Sequence, residues 1–478
     1  MTVFDLLSGA GFSCDGVRDT EVTLVTDDSR KAAAGSVFVC IKGAHFDGHD
    51  AAVECERNGA ALIVAERDTG AANQLIVSDS REAYALLCAS FFGNPSKKLR
   101  LIGITGTNGK TTCAFLIKSI LDSCGHKTGL IGTVRNCIGD ESREASLTTP
   151  DPFELHGLFH EMAAADCDYC VMEVSSQALA QRRAAGLEFE LAAFTNLTQD
   201  HLDYHKSFEN YAEAKHELFR HCAKAVLNRD DAYYRLMLED TDCDAVTVTA
   251  LGAEGADYAA GDIRYRPDGV SFVITNGGRE TRIEIGIPGE FTVYNAMTAF
   301  ACAHETGVTK KECAKALSRT TGVPGRIELV PTDTDYTVII DYAHSPDGLK
   351  NVLSSLRKTC TGRIITVFGC GGDRDRTKRP IMGKIAADMS DFVIITSDNP
   401  RSEDPGAIVE EVAAGARGAD IPVVKIVDRT EAIGFALNEA DEGDTVLLAG
   451  KGHETYQILS TGKIHYDERE IVKQLLSE

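Results

Sequence analysis

The stretch "LRLIGITGTNGKTTCAFLIKSILDSCG", residues 99–125, carries the clearest chemistry in the chain. An apolar run enters a glycine-rich turn and leaves it through Gly109-Lys110-Thr111-Thr112. Glycines let consecutive backbone amides close on phosphate oxygens, and the N-terminus of a following helix favours their negative charge. Lys110 would reach the terminal phosphates and Thr111 would ligate Mg²⁺, so the turn reads as a nucleoside triphosphate site. Cys113, Leu116, Ile117, Ile120, Leu121 and Cys124 recur at helical spacing and predict one buried helix face, with Gly125 as its stop. The common phosphate-loop spacing wants Gly where Ile104 stands, so a plain glycine-rich β–α turn is the alternative. No Asn-Lys-x-Asp element accompanies the loop, which disfavours a GTPase switch.

Other residues could support phosphate chemistry. Glu173 ends the apolar run "DYCVMEV", where a carboxylate suits Mg²⁺, although a Glu leaving a strand is usually just solvated. "FTNLTQDHLDYH" gathers Asp200, His201, Asp203 and His205 after another apolar run, a density that fits a metal site or an ordinary polar loop. Lys215, in the helical stretch "YAEAKHELF", reads by residue type as a solvated surface lysine. The pair Arg182-Arg183 reads the same way.

These residues sit in a chain of 478 with 49 Lys+Arg against 72 Asp+Glu, a net charge of −23. Such an acidic balance argues against a nucleic-acid partner and leaves room for anionic small ligands where Arg and Lys converge. The 15 cysteines show no paired metal spacing and predict free thiols in a reducing compartment, not disulfides or a metal–thiolate centre. No basic leader and no apolar run of bilayer length is present, so a cytoplasmic protein is expected.

The elements that must hold these residues fall into three blocks, divided at "FFGNPSKKLRL" and "TTGVPGRIELV". The boundaries are placed at residues 1–98, 99–326 and 327–478. In the first, "EVTLVTDDSR", "GSVFVCIKG" and "AALIVAE" read as strands of a small α/β unit. In the second, "LRLIGIT", "DYCVMEVSS" and "LAAFTNL" alternate with helices, and residues 245–290 read as short antiparallel strands. In the third, "YTVIIDYAH", "RIITVFGCGG", "DFVIITSDN" and "DTVLLAGKG" are strands of a Rossmann-like α/β domain. Continuous apolar strands alternating with helices predict parallel sheets covered on both faces, with ligands beyond the carboxyl ends of the strands.

The ordered set "GTNGKTT", "MEVSS", "TNLTQDHLDYH", "YAEAKHELF", "VPGR", "DYAHSPDG", "FGCGGDRD" and "DNPR" resembles the Mur ligases over essentially the whole chain, most closely their diaminopimelate-adding members. In that family the phosphate loop itself has this form, which accounts for Ile104. The resemblance implies an ATP- and Mg²⁺-dependent ligase of peptidoglycan synthesis. It would phosphorylate the D-glutamyl γ-carboxylate of UDP-N-acetylmuramoyl-L-alanyl-D-glutamate and pass the acyl group to an incoming amine. It implies that Gly106, Thr107, Asn108, Gly109, Lys110, Thr111 and Thr112 cradle ATP, with Asn295, Arg326 and Asp341 as further nucleotide contacts. Thr111 and Glu173 would hold one Mg²⁺, His201 a second, and Lys215 would be carbamylated to an anionic oxygen ligand.

For the UDP precursor the resemblance implies Ser29, Ala44, His45 and Phe46 in the first block, and Thr148, Thr149, Ser175, Gln181 and Arg183 in the second. For the amino acid it implies Arg374, Asp398, Asn399, Pro400, Arg401, Gly450 and Glu454. Lysine lacks the far carboxylate of diaminopimelate, so a buried Arg401 favours meso-diaminopimelate over L-lysine. A folylpolyglutamate synthase shares the ATP and last domains but lacks the first block. A non-catalytic nucleotide-binding relative should have lost Lys110, Glu173, His201 or Lys215. A monomer is expected.

Overall fold

The structure is a computed structural model that describes residues 1–477 apart from His45, Pro267 and Thr321, and leaves aside the side chain of Asp203. The chain divides into two compact units, residues 1–258 with 298–312 and residues 259–297 with 313–478.

The first unit holds two sheets. Near the N-terminus, β1 (Leu24–Thr26), β2 (Ser36–Val39), β3 (Leu62–Ala65) and β4 (Gln74–Ile76) pair in parallel in that order. Every residue of β2 and β3 is buried, which is why they read as unbroken apolar runs. Val37, Val39, Leu62 and Val64 share a core with Leu6, Leu7 and, from the helix Ser80–Phe91, Leu87.

The larger sheet comprises β5 (Arg100–Thr105), β6 (Thr128–Ile131), β7 (Arg135–Ile138), β8 (Glu141–Glu144), β9 (Tyr169–Glu173), β10 (Phe189–Phe194), β11 (Cys222–Asn228) and β12 (Asp244–Thr249). Within this unit their order is β12-β11-β10-β5-β9-β6-β7-β8. Strands from β12 to β6 run parallel, and β7 and β8 continue antiparallel. The central strand β5 thus ends between the carboxyl ends of β9 and β10, where Glu173 and Thr195 stand. That crevice is where an open parallel sheet binds ligands. The expectation of antiparallel strands from residue 245 needs correction at its start, because β12 pairs in parallel with β11.

The antiparallel set is β13 (Tyr258–Arg266), β14 (Gly269–Asn276) and β15 (Arg279–Ile285). The second unit otherwise rests on β16 (Glu328–Val330), β17 (Thr337–Asp341), β18 (Ile364–Phe368), β19 (Phe392–Ile395), β20 (Val423–Lys425) and β21 (Thr445–Ala449). Their order is β16-β17-β21-β18-β19-β20, parallel except at β16. Apolar side chains fill both faces, with Ile339, Phe368, Ile395 and Leu447 on one and Ile340, Val367, Ile394 and Leu448 on the other. The ends of β17, β18, β19 and β21 carry Asp341, Gly369, Asp398 and Gly450 toward one edge. Among the described residues no helix is long and apolar enough to cross a membrane.

Candidate active site

The phosphate loop is shaped by backbone that only glycine tolerates. Gly106 has φ +147°, and a Cβ there would lie 1.9 Å from Thr195 Oγ1. Gly109, at φ 87°, precedes the helix Lys110–Ser123. The loop is pinned from the β10 side. The Asn108 amide donates to Asn196 Oδ1 at 3.0 Å, while its carbonyl accepts from Thr195 Oγ1 at 2.6 Å and Asn196 Nδ2 at 3.1 Å. Thr107 Oγ1 donates to the Thr198 carbonyl at 3.1 Å and lies 2.9 Å from the Tyr211 hydroxyl. Lys110 folds back, its Nζ donating at 2.9 Å to the carbonyls of Gly106 and Thr107. Thr112 is buried beside it in the first helical turn.

Glu173 meets this loop directly. Thr111 Oγ1 donates to its Oε2 at 2.9 Å, and Thr133 adds an amide bond to Oε1 at 2.8 Å and a hydroxyl bond to Oε2 at 3.1 Å. Thr133, in the β6–β7 turn, was not singled out in the sequence, because nothing local marks "IGTVRN" as facing a strand two places away in order.

Lys215 is not the solvated lysine its residue type suggests. It is 1% exposed, donates to the Gly106 carbonyl at 2.8 Å, and its Nζ stands 4.6 Å from the Tyr211 ring centroid. Burial, and then the neighbouring Lys110, push its pKa well below that of an ordinary lysine. Tyr211 also faces the ring of His201 at 6.2 Å between centroids. It is the shared neighbour of Thr107, Lys215 and His201, and its place four residues before Lys215 on the helix Phe208–His216 was the available signal. His201 has φ 53° and lies 3.7 Å from the Asp200 carboxylate. His205 instead turns inward to Ser176 Oγ at 2.9 Å. The side chain of Asp203 lies outside the described residues. Among the described residues no three His, Cys, Asp or Glu side chains converge as a ready-made metal site.

The residues expected to contact the muramoyl peptide form one connected patch. Thr148 Oγ1 lies 3.0 Å from Thr133 Oγ1, and Thr149 Oγ1 donates to the Glu173 carbonyl at 2.8 Å and accepts from the Ser175 amide at 3.0 Å. Arg183 donates to the Thr149 carbonyl at 2.8 Å and through Nε and Nη2 to Gln181 Oε1 at 3.1 and 2.7 Å. Gln181 in turn donates to the Tyr204 hydroxyl at 3.0 Å. Burial lowers the pKa of Arg183 from the usual arginine value, so it is no surface arginine. Arg182 is one, 43% exposed and paired with Glu217. In the first block Ser29 opens a short 3₁₀ turn capped by Asp28, and Ala44 and Phe46 lie on an exposed loop. His45 lies outside the described residues.

In the second unit, buried Asp341 accepts from the amides of Ile327 and Ala343 at 2.8 and 2.9 Å, and burial raises its carboxyl pKa. The Arg326 guanidinium stacks 5.1 Å from the Tyr342 centroid, its Nε buried without a hydrogen-bond partner among the described residues. Asn295 is buried on the helix Glu290–Glu305.

The β18 and β19 loops are latched together. Ser402 donates from its hydroxyl and amide to Asp373, at 2.7 and 3.1 Å, and the Asp373 amide donates to Glu403 at 2.6 Å. A Cβ on Gly372 would lie 1.9 Å from the carbonyl of Pro400, so the loops touch backbone to backbone. Arg401, at φ 52°, donates through Nη1 to the carbonyls of Gly372 and Asn399 at 2.9 and 3.3 Å. Arg374 is exposed and donates to the Asp373 carbonyl at 3.3 Å.

Gly450, at φ 119°, leaves room for Asp398, whose Oδ2 a Cβ would approach to 2.9 Å. Asn399 Nδ2 donates to Glu454 Oε2 at 2.8 Å, and burial raises the Glu454 pKa against the pull of Lys451. Lys451, unnamed in the sequence reading, sits fully buried among these groups.

Comparison with known proteins agrees in order and extent. Residues 21–91 match the Mur ligase family, catalytic domain; residues 104–303 the Mur ligase middle domain; and residues 325–452 the Mur ligase, glutamate ligase domain. The UDP-N-acetylmuramoyl-L-alanyl-D-glutamate–2,6-diaminopimelate ligase of Clostridium botulinum is 45% identical over 467 residues, 96% of either chain. A solved structure of a ligase with that same name is 33% identical, with a TM-score of 0.71 over 95% of either chain. Mycobacterium tuberculosis folylpolyglutamate synthase with ADP shares the fold at 18% identity and a TM-score of 0.62, over 78% of this chain and 91% of that one. The chain belongs to the Mur ligase family.

Proposed function

We propose that the protein is an ATP-dependent ligase that joins meso-2,6-diaminopimelate to UDP-N-acetylmuramoyl-L-alanyl-D-glutamate in peptidoglycan synthesis. Relatives of that name over the full chain length support the reading. In the reaction the D-glutamyl γ-carboxylate takes the terminal phosphoryl group of ATP, releasing ADP. The amine of diaminopimelate then attacks the acyl phosphate, an amide bond forms, and phosphate leaves with the bonding pair. Phosphate replaces a poor leaving group, so the protein's work is positioning and charge compensation. The loop from Gly106 to Thr112 holds the phosphates, with Lys110 released from its loop carbonyls to pair with them. Thr149, Ser175, Gln181 and Arg183 hold the muramoyl peptide. We assign residues 1–98 to the precursor, 99–326 to ATP and 327–478 to the amino acid.

The donor set fits Mg²⁺: the Thr111 hydroxyl and Glu173 carboxylate are hard oxygens already in contact, with His201 assigned to a second ion. When bound, Mg²⁺ supplies neutralisation of phosphate charge. Lys215 suits that setting as a carbamate, because burial lowers its pKa and so favours the neutral amine that reacts with CO₂. Dependence on ATP favours a cytoplasmic enzyme.

The observation that carries the choice of amino acid is Arg401. Among the described residues its hydrogen-bond partners are backbone carbonyls reached by one nitrogen, so Nε and Nη2 present a fork suited to a carboxylate. L-lysine would give that fork nothing to bind. The test is phosphate release by purified protein with ATP, Mg²⁺ and the dipeptide precursor. Release should require meso-diaminopimelate, and equal release with L-lysine would overturn the assignment.

A further inference from the structure

The amino-acid pocket has a charge arrangement that turns on one residue outside the family-derived contact set. Lys451 is fully buried at the end of β21. Its Nζ lies 3.1 Å from Glu454 Oε2, 3.2 Å from Asn399 Oδ1 and 3.7 Å from Asp398 Oδ1. Asp398 Oδ1 is itself buried and has no hydrogen-bond partner among the described residues. Nearby, the buried pair Arg429–Glu468, at 2.8 Å, is neutral as a sum and braces the carbonyls of Ser397 and Ala449.

One ammonium thus faces two carboxylates, a local charge of −1. A buried carboxylate oxygen lacking a donor is costly unless something supplies a hydrogen bond. The group that settles both is a ligand ammonium, which satisfies Asp398 and neutralises the cluster. Arg401, across Asn399, offers the complementary cationic fork, so the pocket matches an amino-acid end bearing both an ammonium and a carboxylate. Without Lys451 the two carboxylates would face each other in a buried site with no cation between them, which the interior penalises.

We infer that Lys451 is the positioning residue of this pocket: it fixes Asn399 and Glu454 and stands between the Glu454 and Asp398 carboxylates as their shared cation, so that Asp398 receives the ammonium of the incoming zwitterion. This rests on the ligase reading above.

The test is steady-state kinetics of Lys451→Met, Lys451→Arg and the double variant Lys451→Met with Glu454→Gln, beside the parent enzyme. Lys451→Met should raise the KM for diaminopimelate about a hundredfold, the scale of unpairing a buried charge, with the KM values for ATP and dipeptide precursor within about twofold. Lys451→Arg should retain most of the affinity. The double variant restores a local charge of −1 and should recover about tenfold of the loss. An unchanged KM for diaminopimelate, a parallel rise in all three KM values, or no recovery in the double variant would each overturn the inference. If Lys451→Met fails to fold, Lys451→Gln with and without Glu454→Gln gives the same comparison. A parent enzyme that does not turn over diaminopimelate at all would refute the ligase reading instead.

Discussion

Replacing Arg401 by Ala isolates the residue to which we assign the choice of substrate. The guanidinium spends Nη1 on two backbone carbonyls, at 2.9 and 3.3 Å, so the loss has two parts. The carbonyls of Gly372 and Asn399 lose a donor, worth about 1 kcal/mol each and partly replaced by water. The latch between Asp373, Ser402 and Glu403 does not involve Arg401 and should hold the loop, so the variant should fold with Tm lower by a few degrees. The second part falls on substrate. Two charge-assisted bonds to the far carboxylate, at about 1.5 kcal/mol each in a half-buried setting, sum to about 3 kcal/mol, or roughly 150-fold in kcat/KM. The assay is coupled ADP release with diaminopimelate and with L-lysine as competing amines, for parent and variant. The kcat/KM for diaminopimelate should drop by about two orders of magnitude while that for L-lysine hardly moves. Equal losses for both amines, or an unchanged ratio between them, would refute the argument.

Other consequences can be checked alongside. Gly106→Ala puts a methyl group 1.9 Å from Thr195 Oγ1 in a backbone region hostile to side chains, costing about 2–3 kcal/mol. Thermal unfolding should show it, the KM for ATP should rise, and adding Thr195→Ala should relieve only part of the damage. Lys215→Ala should abolish turnover, and intact-protein mass spectrometry of the parent in bicarbonate should show one added CO₂, lost on acidification as the amine protonates. Retained turnover would make Lys215 merely structural. His156 is fully buried with neither ring nitrogen hydrogen-bonded among the described residues, and burial lowers its pKa to about 4. The unfolded imidazole takes a proton below about 6.5 and the folded one only near 4, so stability is full above that range and falls with pH across it, by about 3 kcal/mol. His156→Phe should flatten that decline in denaturant titrations.

The sequence disclosed most of what is set locally. Buried parallel strands leave unbroken apolar runs, so the strands of both α/β sheets stood out, and the phosphate loop announced itself through Gly106, Gly109 and Lys110. Features set by distant neighbours stayed hidden. β12 is exposed at its start, at Asp244 and Ala245, and so resembled the half-exposed antiparallel strands after it; its parallel register with β11 is a tertiary fact. Lys215 looked like a surface lysine and Lys451 drew no reading, because nothing beside them in sequence shows what encloses them. A loop carbonyl and an aromatic ring surround the first, and two carboxylates and an amide the second. Arg183 differs from Arg182 through its bonds to Gln181 and to the Thr149 carbonyl, the latter from a segment that precedes β9 in the chain.

The central claim is that the γ-carboxylate is activated as an acyl phosphate and captured by diaminopimelate. The direct measurement uses dipeptide precursor labelled with ¹⁸O in that carboxylate, with ATP and meso-diaminopimelate, read by ³¹P NMR and product mass. The account predicts that the phosphate released carries one ¹⁸O and that the nucleotide product gains one diaminopimelate residue. Unlabelled phosphate, or labelled phosphate without that product, would contradict it.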